Sequence, residues 1–523
     1  MRTLLLSDCF SYTIQMENIG ISRLSAYLKN HEQSVDVYYL KENQSVEDIL
    51  ETLSLEYDLY GFSVYENNAQ LFISLANEIQ KRQPGAVIAF GSKFVTLYYQ
   101  ELLEYCENEV LCVLGDGEYT MLDMIRVMEK KENVYELAAE HPHIASRQYQ
   151  TEKSPLAISI RDLPWPDRGF LRQTRTIAAY VCDCHGCVGN CSFCSQRNYY
   201  TKWEGRDAKD LFEEVAYLYH STNTRLVIFT GGSFEDPGKL GKEKIRSFCQ
   251  MIINAQLSIC FRCYLRAETF QDTKEDLALL MLMKQAGFHV VFVGIESGAP
   301  KDLQLYHKRA NVKDNELILQ LLKKADIHGG GFGFIMFNPY SDWQSIHENY
   351  IFLSNNLNWD LQKYVSELKL YKNTAIYDQV KQDGLLPAQK RFSWNYVSEY
   401  RFVHEDMERL YHFVLEKIKM PLETNTQNID FAVTTIESFY TQIEDGDQLR
   451  GQLHNYLQEQ AQLLSSFFEK LYLQGNFQWC ETNLNRFITT ISRLGGDIAK
   501  LNRKAMKYIL RQQTKAFDCT DRR

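Results

Sequence analysis

The sequence predicts an α/β protein of three parts, because the pattern of apolar residues changes twice along its 523 residues. Over residues 1–145 short apolar runs alternate with stretches of helical spacing, which is typical of a parallel sheet with helices on both faces. A second alternation over 176–386 predicts six strand–helix units, enough for an open, TIM-like (βα)6 partial barrel. From about residue 395 only helical periods remain. The predicted parts are therefore domains 1–145, 176–394 and 395–523, with a linker over 146–175.

The first domain is predicted from four runs that resemble strands, at 35–40, 59–64, 86–91 and 110–115. Parallel sheets of this kind bind ligands in the crevice at the carboxyl ends of their strands. We therefore expect a binding site built from the residues at these ends, which are Ser63, Gly91, Ser92, Gly115, Gly117 and Glu118.

Proline marks the predicted linker, since three of the ten prolines fall within 146–175. Proline also restricts the residue before it, which favours an extended segment. The strands predicted for the barrel are 176–181, 225–230, 258–265, 290–295, 332–337 and 364–370. The amphipathic helices predicted for the last domain are 407–418, 449–472 and 487–510.

Composition and charge exclude several classes of protein. The net charge of −10 argues against a nucleic-acid backbone as the main partner. No stretch approaches the roughly eighteen consecutive apolar residues of a membrane span, and no signal-peptide core follows Met1. We therefore expect a cytoplasmic protein that binds neither nucleic acids nor membranes. Its 13 cysteines are expected to be thiols or ligands rather than disulfides.

The sharpest motif is formed by Cys187, Cys191 and Cys194. Thiolates are the usual ligands of iron–sulfur clusters, and short spacings let one loop bind several irons. A fully ligated cluster uses four cysteines, so three leave one iron open, as in catalytic metal sites. Zinc is the alternative, because Cys182, Cys184 and His185 precede the motif. Zinc would need a second CxxC or paired histidines at a suitable distance, so the spacing favours a cluster. Cys182 and Cys184 are expected at a strand end, with a ligand or redox role as the alternative.

These cysteines, with Phe193 before the third, resemble the signature of the radical S-adenosylmethionine (SAM) superfamily. Residues 186–194 are especially similar to its branch with a Rossmann-like cobalamin-binding domain. The resemblance covers roughly residues 1–390. Segments that are similar to those of this branch are Asp-Leu-Pro-Trp-Pro-Asp-Arg at 162–168, Trp-Glu-Gly-Arg at 203–206, Gly-Ile-Glu-Ser-Gly at 294–298, and the residues at 334–340 and 373–377.

The resemblance implies a [4Fe–4S] cluster on the three cysteines, whose open iron binds SAM. It also implies an electron donor such as flavodoxin or ferredoxin, and a 5′-deoxyadenosyl radical that attacks an unactivated carbon. The most typical outcome is C-methylation of a peptide or a small natural-product intermediate. Cyclisation, rearrangement or cross-linking without methyl transfer is the alternative. A zinc-stabilised binding protein is a more distant one.

The resemblance also implies which residues contact SAM. Ser233 stands where the superfamily has a glutamate near the methionine amine. Arg266 would clamp the carboxylate through a bidentate pair, although a surface ion pair explains it equally well. Glu296 ends an apolar run and would serve the ribose or the amine. The full set is Phe193, Gly231, Gly232, Ser233, Arg266, Glu296 and Ser297.

The first domain is similar to a cobalamin-binding domain through residues 91–94 and 115–120. The D-x-H-x-x-G segment that supplies a histidine to cobalt in the mutases is missing from the sequence. The resemblance therefore implies cobalamin held by the strand-end residues, without a protein ligand on cobalt. The alternative is a domain that keeps this fold and no longer binds the cofactor, since fold alone does not determine function.

Overall fold

A computed structural model of the chain describes residues 1–8, 16–41, 43–151, 155–174, 176–387 and 400–520. It confirms the predicted α/β class: a sheet domain is followed by a partial barrel and then by a helical region. The predicted boundary between residues 394 and 395 lies outside the described residues. None of the helices in these ranges is both long and apolar enough to cross a membrane.

The first domain is a doubly wound sheet. Its strands are β1 (Arg2–Asp8), β2 (Ser34–Leu40), β3 (Leu59–Ser63), β4 (Val87–Gly91), β5 (Leu111–Val113) and β6 (Ile144–Ala145). They lie in the order β2-β1-β3-β4-β5-β6, and all neighbours are parallel except β5 and β6. The helices are α1 (Ile19–Asn30), α2 (Val46–Thr52), α3 (Ala69–Arg82), α4 (Lys93–Leu103), α5 (Glu118–Glu129) and α6 (Val134–Glu140).

Strand alternation explains why helices cover both faces of this sheet. Successive side chains of a strand point to opposite faces. Leu4 and Leu6 of β1 pack in one apolar cluster, while Leu5 between them packs in another. Both faces are apolar, so each must be buried under helices. The carboxyl ends of the strands stay open at one edge, and the predicted binding residues lie there.

The second domain is built from parallel strands that curve into a partial barrel. Its strands are β7 (Ala178–Val181), β8 (Cys184–His185), β9 (Glu204–Gly205), β10 (Leu226–Phe229), β11 (Cys260–Arg262), β12 (Tyr264–Arg266), β13 (Val290–Glu296) and β14 (His328–Phe334). The parallel ladders run β11-β10-β7 and β12-β13-β14, and Cys263 divides β11 from β12. The short antiparallel pair β8 and β9 flanks the cysteine motif.

Helices connect these strands and cover the outside of the barrel. They are α7 (Gly169–Thr174), α8 (Ala208–Ser221), α9 (Lys239–Asn254), α10 (Lys274–Ala286), α11 (Pro300–Leu305), α12 (Val312–Lys324), α13 (Trp343–Asn355), α14 (Leu361–Val365) and α15 (Ala375–Gln382). Their apolar faces share one core with the strands.

The strand predicted at 364–370 is wrong. Asp360 accepts a hydrogen bond from the Gln362 amide and so caps α14, which occupies the first part of the predicted strand. Only a single parallel bridge between Phe337 and Glu367 remains, with the Leu368 amide donating to the Phe337 carbonyl at 2.8 Å. The sixth position of the barrel is therefore a bridge rather than a full strand.

The helical region consists of α16 (Glu405–Val414), α17 (Met420–Phe439), α18 (Gly446–Phe468) and α19 (Phe477–Thr520). The helices predicted at 407–418, 449–472 and 487–510 fall within α16, α18, α19 and the π-turns that continue the first two. Helix α17 was not predicted. It packs beneath the barrel, where Ile429 and Val433 share a core with Ala178 and Leu226.

A buried ion network joins the linker to both α/β domains. Arg168, whose side chain is 1% exposed, forms ion pairs with Glu17, just before α1, and with Glu214 in α8. Glu214 also pairs with Arg206 at 2.5 Å. Because Arg168 neutralises two buried carboxylates from different domains, the network holds these domains in one arrangement.

We expect Arg168→Met to destabilise the protein by roughly 3–5 kcal/mol, because Glu17 would lose its only ion-pair partner in the described residues. Thermal unfolding monitored by circular dichroism measures this loss. Arg172→Met is the matched control: Arg172 is half-exposed, pairs with Asp167 at 3.6 Å, and should cost less than about 1 kcal/mol. Equal losses in the two variants would show that the buried network does not stabilise the domain junction.

Candidate functional site

The three cysteines of the motif lie on one loop that follows β8. The Gly189 amide donates to the Cys187 sulfur at 3.3 Å, and a Cβ built on Gly189 would lie 4.0 Å from the Cys191 sulfur. The Cys194 amide donates to the Cys191 carbonyl at 3.2 Å, which closes the loop. The backbone thus turns tightly around the sulfurs, as a loop that binds several irons requires.

Burial raises the pKa of all three thiols, that of Cys191 to about 11. Nearby cations oppose the effect of burial; for Cys191 the cation is Lys308. Thiolates are the form that binds metal, so binding must release these protons. The donor set fits an iron–sulfur cluster, with three thiols on one loop and a lysine close enough to offset negative charge.

Backbone contacts fix the position of this loop on the barrel. The Ser192 amide donates to the Tyr306 carbonyl at 3.0 Å, and the Ser192 hydroxyl donates to the Leu305 carbonyl at 2.8 Å. On the other side, a Cβ built on Gly232 would lie 3.0 Å from both Cys187 Cβ and the Gly186 carbonyl oxygen. Glycine at 232 therefore lets the end of β10 approach the cysteine loop closely.

Two of the predicted SAM residues, Phe193 and Glu296, line a cavity of about 990 Å³ inside the barrel. Glu296 has a left-handed backbone, with φ of 69°. Its carboxylate lies over Gly333, where a built Cβ would be 2.7 Å from Oε2 and 3.0 Å from Oε1. Burial raises the pKa of Glu296, and Lys308 and Lys363 oppose this. A carboxylate in this setting can accept hydrogen bonds from a polar ligand in the cavity.

None of the other predicted SAM residues lines this cavity. The Gly231 amide donates to Asp183 at 2.8 Å, and the Ser233 hydroxyl donates to Glu235 at 2.7 Å. The buried Ser297 hydroxyl donates to the Asn349 side chain at 2.7 Å, which places it in a polar cluster behind β13. The structure therefore does not bring Ser297 onto the wall of the cavity.

Arg266 is surrounded by carboxylates, at 2.5 Å from Asp236, 3.0 Å from Glu268 and 3.5 Å from Glu235. Its guanidinium is thus held by the protein's own acids. Asp236 in turn accepts a hydrogen bond from the Val188 amide in the cysteine loop at 3.3 Å. Asp236 therefore connects Arg266 to the cysteine loop.

Sequence reasoning missed Glu235 and Asp236. Glu235 is fully buried and accepts hydrogen bonds from Ser233, from the Arg266 amide and from Thr269. The signal was present in the sequence, because Glu235 follows by two residues the position where the superfamily's glutamate was sought. A search that tolerated a two-residue shift would have found it.

All six residues predicted for cobalamin line a single cavity of about 360 Å³. The open edge of the first sheet forms one side. The other side comes from the barrel domain and includes Cys182, Cys184, His185, Tyr199 and Tyr200. Cys182 and Cys184 thus face this cavity. Gly115 has φ of +91°, and a Cβ there would overlap the Leu156 backbone, so only glycine fits.

A charged network crosses this cavity. Arg23 pairs with Glu118 at 2.7 Å and with Asp116 at 3.3 Å, and the Tyr200 hydroxyl donates to Asp116 at 2.8 Å. Arg23 Nη1 lies 3.1 Å from His185 Nε2. Glu118 therefore serves to hold Arg23 at the domain junction.

Burial, with help from Arg23, lowers the pKa of His185 to about 4. The imidazole is then neutral near pH 7, with Nε2 accepting from Arg23 and Nδ1 donating to the Ile158 carbonyl at 3.3 Å. Both ring nitrogens are occupied. His185 is the histidine that lines this cavity, and it offers no free nitrogen to a ligand.

Comparison with known proteins identifies both α/β domains. The model of the B12-binding domain matches residues 9–125, and that of the radical SAM superfamily matches residues 181–353. The chain belongs to the radical SAM superfamily, in its branch with a B12-binding domain. Its domains imply cobalamin, SAM and a [4Fe–4S] cluster as cofactors, as the resemblance predicted.

Curated relatives are distant. The anaerobic magnesium-protoporphyrin IX monomethyl ester cyclase of Cereibacter sphaeroides is 24% identical over 55% of this chain and 47% of its own length. An uncharacterized methyltransferase of Pyrococcus horikoshii is 21% identical over 76% of this chain and 84% of its own length. The chain spans about half the length of the cyclase.

Among solved structures, the cobalamin-dependent SAM radical enzyme OxsB with aqua-cobalamin bound superposes with a TM-score of 0.73. The match covers 98% of this chain and 80% of OxsB at 17% identity. At this identity it shows that the two chains share a fold. It includes the helical region, which neither family model reaches.

The family matches favour the cluster over the zinc alternative. Among the described residues, no three His, Cys, Asp or Glu side chains converge as the ligands of a single metal ion would. Cysteines of a cluster bind separate irons and need not converge in that way.

We expect Cys187→Ala, Cys191→Ala and Cys194→Ala each to reduce iron and sulfide to background after anaerobic reconstitution, because each removes one ligand of the cluster. Iron analysis and visible absorption measure this. Cys182→Ala and Cys184→Ala are the controls, since these thiols face the other cavity, and they should keep wild-type iron. Loss of iron in the controls would mean that the cluster uses a different set of ligands.

We expect Gly91→Leu to weaken cobalamin binding about tenfold or more, because the side chain would occupy the cavity that Gly91 lines. Absorption of cobalamin retained after gel filtration measures this. In the control Gly85→Leu, a Cβ meets no atom within 4 Å, and binding should not change. Unchanged binding in Gly91→Leu would place cobalamin elsewhere.

Proposed function

We propose that this chain is a cobalamin-dependent enzyme that uses radical SAM chemistry to methylate an unactivated carbon of a peptide or small natural-product intermediate. The observation that carries the proposal is the shared wall between the two sites. Gly186 and Gly232 line the cobalamin cavity, and a Cβ built on Gly232 would lie 3.0 Å from Cys187 Cβ in the cysteine loop. A methyl carrier and a hydrogen-abstracting centre must serve the same carbon, so their sites must adjoin.

The proposed cofactor-binding residues belong to two cavities, one for SAM and one for cobalamin. Cys187, Cys191 and Cys194 would hold the cluster, and Phe193 and Glu296 would contact SAM in the barrel cavity. The ends of β3, β4 and β5 would hold cobalamin. When bound, the cluster and SAM supply hydrogen abstraction from carbon, and cobalamin supplies methyl transfer.

The protein's own groups position these sites and limit access of water. Asp236 ties the cluster loop to Arg266, and Arg23 ties the sheet domain to His185 of the barrel domain. The buried Tyr306 packs edge-on against Phe193, with ring centroids 5.5 Å apart, and so fixes the ring beside the cysteines. Placement and exclusion of side reactions are the protein's contribution in cofactor chemistry.

A radical cyclisation or rearrangement without methyl transfer is the second candidate. The curated relative with the cyclase name favours it. The methyltransferase name of the Pyrococcus relative, which covers more of this chain and of its own length, favours methylation.

The remaining partners follow from the same chemistry. We propose a small molecule or peptide as substrate, and a flavodoxin or ferredoxin as electron donor. The cysteines whose side chains are described are all free thiols, which supports a reducing, cytoplasmic compartment. We further propose that neither nucleic acid nor membrane is a partner.

We expect the reconstituted protein, given SAM, cobalamin and reductant, to form both 5′-deoxyadenosine and S-adenosylhomocysteine. Cys191→Ala should abolish 5′-deoxyadenosine, because its formation needs the open iron. Gly91→Leu should reduce S-adenosylhomocysteine to a greater extent than 5′-deoxyadenosine, and Gly85→Leu should match the wild type. Liquid chromatography with mass spectrometry measures the two products. 5′-Deoxyadenosine alone from the wild type would favour the second candidate over methylation.

A further inference from the structure

The cavity inside the barrel has a wall that comes from the helical region. Helix α17 and the residue before it present polar side chains to this cavity at helical spacing: Lys419, Glu423, Thr426, Gln427, Asp430 and Thr434. The opposite face of α17 is apolar and packs in the core through Ile429, Val433 and Ile436. The helical region therefore closes the radical SAM barrel with a polar surface.

Aromatic rings form much of the opposite wall. Tyr180, Tyr264, Phe292, Phe332 and Phe334 all line the cavity. Tyr264 and Phe292 are 42% and 36% exposed, although both lie on barrel strands, and their ring centroids are 5.1 Å apart. Ring faces left open inside a cavity are typical of a site that takes a flat apolar group.

Most of the charged groups on these walls already have partners. Lys363 pairs with Asp360 at 2.9 Å, and Lys419 forms an ion pair with Glu367. Such pairs satisfy each other and leave little charge for a ligand.

Arg262 and Asp430 are different. Arg262 donates from Nη2 to the Thr434 carbonyl at 2.8 Å, but within the described residues its Nη1 makes no hydrogen bond and the guanidinium makes no ion pair. In the same part of the chain, the Asp430 carboxylate accepts no hydrogen bond and makes no ion pair. The two groups lie within electrostatic reach of each other without contact, and the charges of Asp360 and Lys363 also act on the Asp430 carboxylate.

Two opposite charges held apart in this way select for a ligand that carries both. A ligand with only a carboxylate would leave Asp430 uncompensated, and one with only an ammonium would leave Arg262 uncompensated. A ligand that presents both groups from one carbon compensates both, with charge-assisted hydrogen bonds at each end.

We propose that Arg262 and Asp430 bind the carboxylate and the ammonium of a zwitterionic substrate of amino-acid type, whose flat apolar body lies on Tyr264 and Phe292. This proposal rests on the proposed function, because it takes the barrel cavity to be the substrate site. Asp430 is then a specificity-determining residue that the helical region contributes to the barrel.

Binding to the reconstituted full-length protein tests this. Isothermal titration calorimetry is done under anaerobic conditions, with saturating SAM and no reductant, so that no turnover occurs and SAM's own amino-acid group fills its site. The probes are L-phenylalanine, phenethylamine, which lacks the carboxylate, and 3-phenylpropionate, which lacks the ammonium. We expect L-phenylalanine to bind about tenfold or more tightly than either analogue.

Asp430→Asn should weaken L-phenylalanine binding about tenfold and leave 3-phenylpropionate binding unchanged, because only the ammonium contact is lost. Since the Asp430 carboxylate makes no hydrogen bond or ion pair within the described residues, the melting temperature should match that of the wild type. Asp447→Asn, an exposed acid in the first turn of α18, is the matched control and should bind all three probes like the wild type.

Three outcomes would overturn the proposal. They are no binding of L-phenylalanine, equal affinity for the three probes, or an equal loss of affinity for L-phenylalanine and 3-phenylpropionate in Asp430→Asn. Formation of 5′-deoxyadenosine and S-adenosylhomocysteine is measured separately, with SAM, cobalamin and reductant. Failure of the binding test with 5′-deoxyadenosine still formed rejects only the zwitterion site. Zwitterion binding without either SAM product rejects only the proposed chemistry.

Discussion

The close approach of Gly232 to Cys187 is the constraint on which the arrangement of the site depends. A side chain at 232 would press on both Cys187 and the Gly186 carbonyl. Because the residue is glycine, the turn after β10 lies directly against the cysteine loop, and the same backbone lines the cavity proposed for cobalamin. One short segment therefore separates the two cofactor sites, and it contributes backbone but no bulk.

Charged groups from different domains fix the position of the sheet domain relative to the barrel domain. Arg168 brings the linker between Glu17 and Glu214, and Arg23 brings α1 against His185. Ion pairs removed from water are costly unless every member is satisfied. A small displacement of one domain would leave several of these charges unpaired, which favours one arrangement over others that bury similar apolar area.

The helical region has a comparable role on the other side of the barrel. The barrel has only a bridge at its sixth position, so its lumen needs another wall. Helix α17 supplies that wall, with apolar residues toward the core and Asp430 toward the cavity. The part of the chain that neither family model matches thus contributes to the cavity in which substrate specificity is proposed to lie.

By itself, the sequence determined the parts of this protein that depend on local pattern. Apolar runs located four of the six strands of the first sheet, β2 to β5, and the cysteine spacing predicted the loop that is proposed to hold the cluster. The residues at the strand ends were predicted to share one binding site, and they line a single cavity, because parallel strands bring their ends to one edge.

Only the tertiary structure decided which side chains meet. Ser297 follows a strand, as a ligand-binding residue would, yet its hydroxyl donates a hydrogen bond to Asn349 behind the sheet. Arg266 forms ion pairs with three acids, and no spacing rule predicts these pairs from the sequence. Asp360 caps helix α14, which overlaps the start of the strand that the sequence predicted at 364–370. Arg262 and Asp430, which line the same cavity, are 168 positions apart in the sequence. Such contacts depend on how whole elements pack, which local periodicity does not encode.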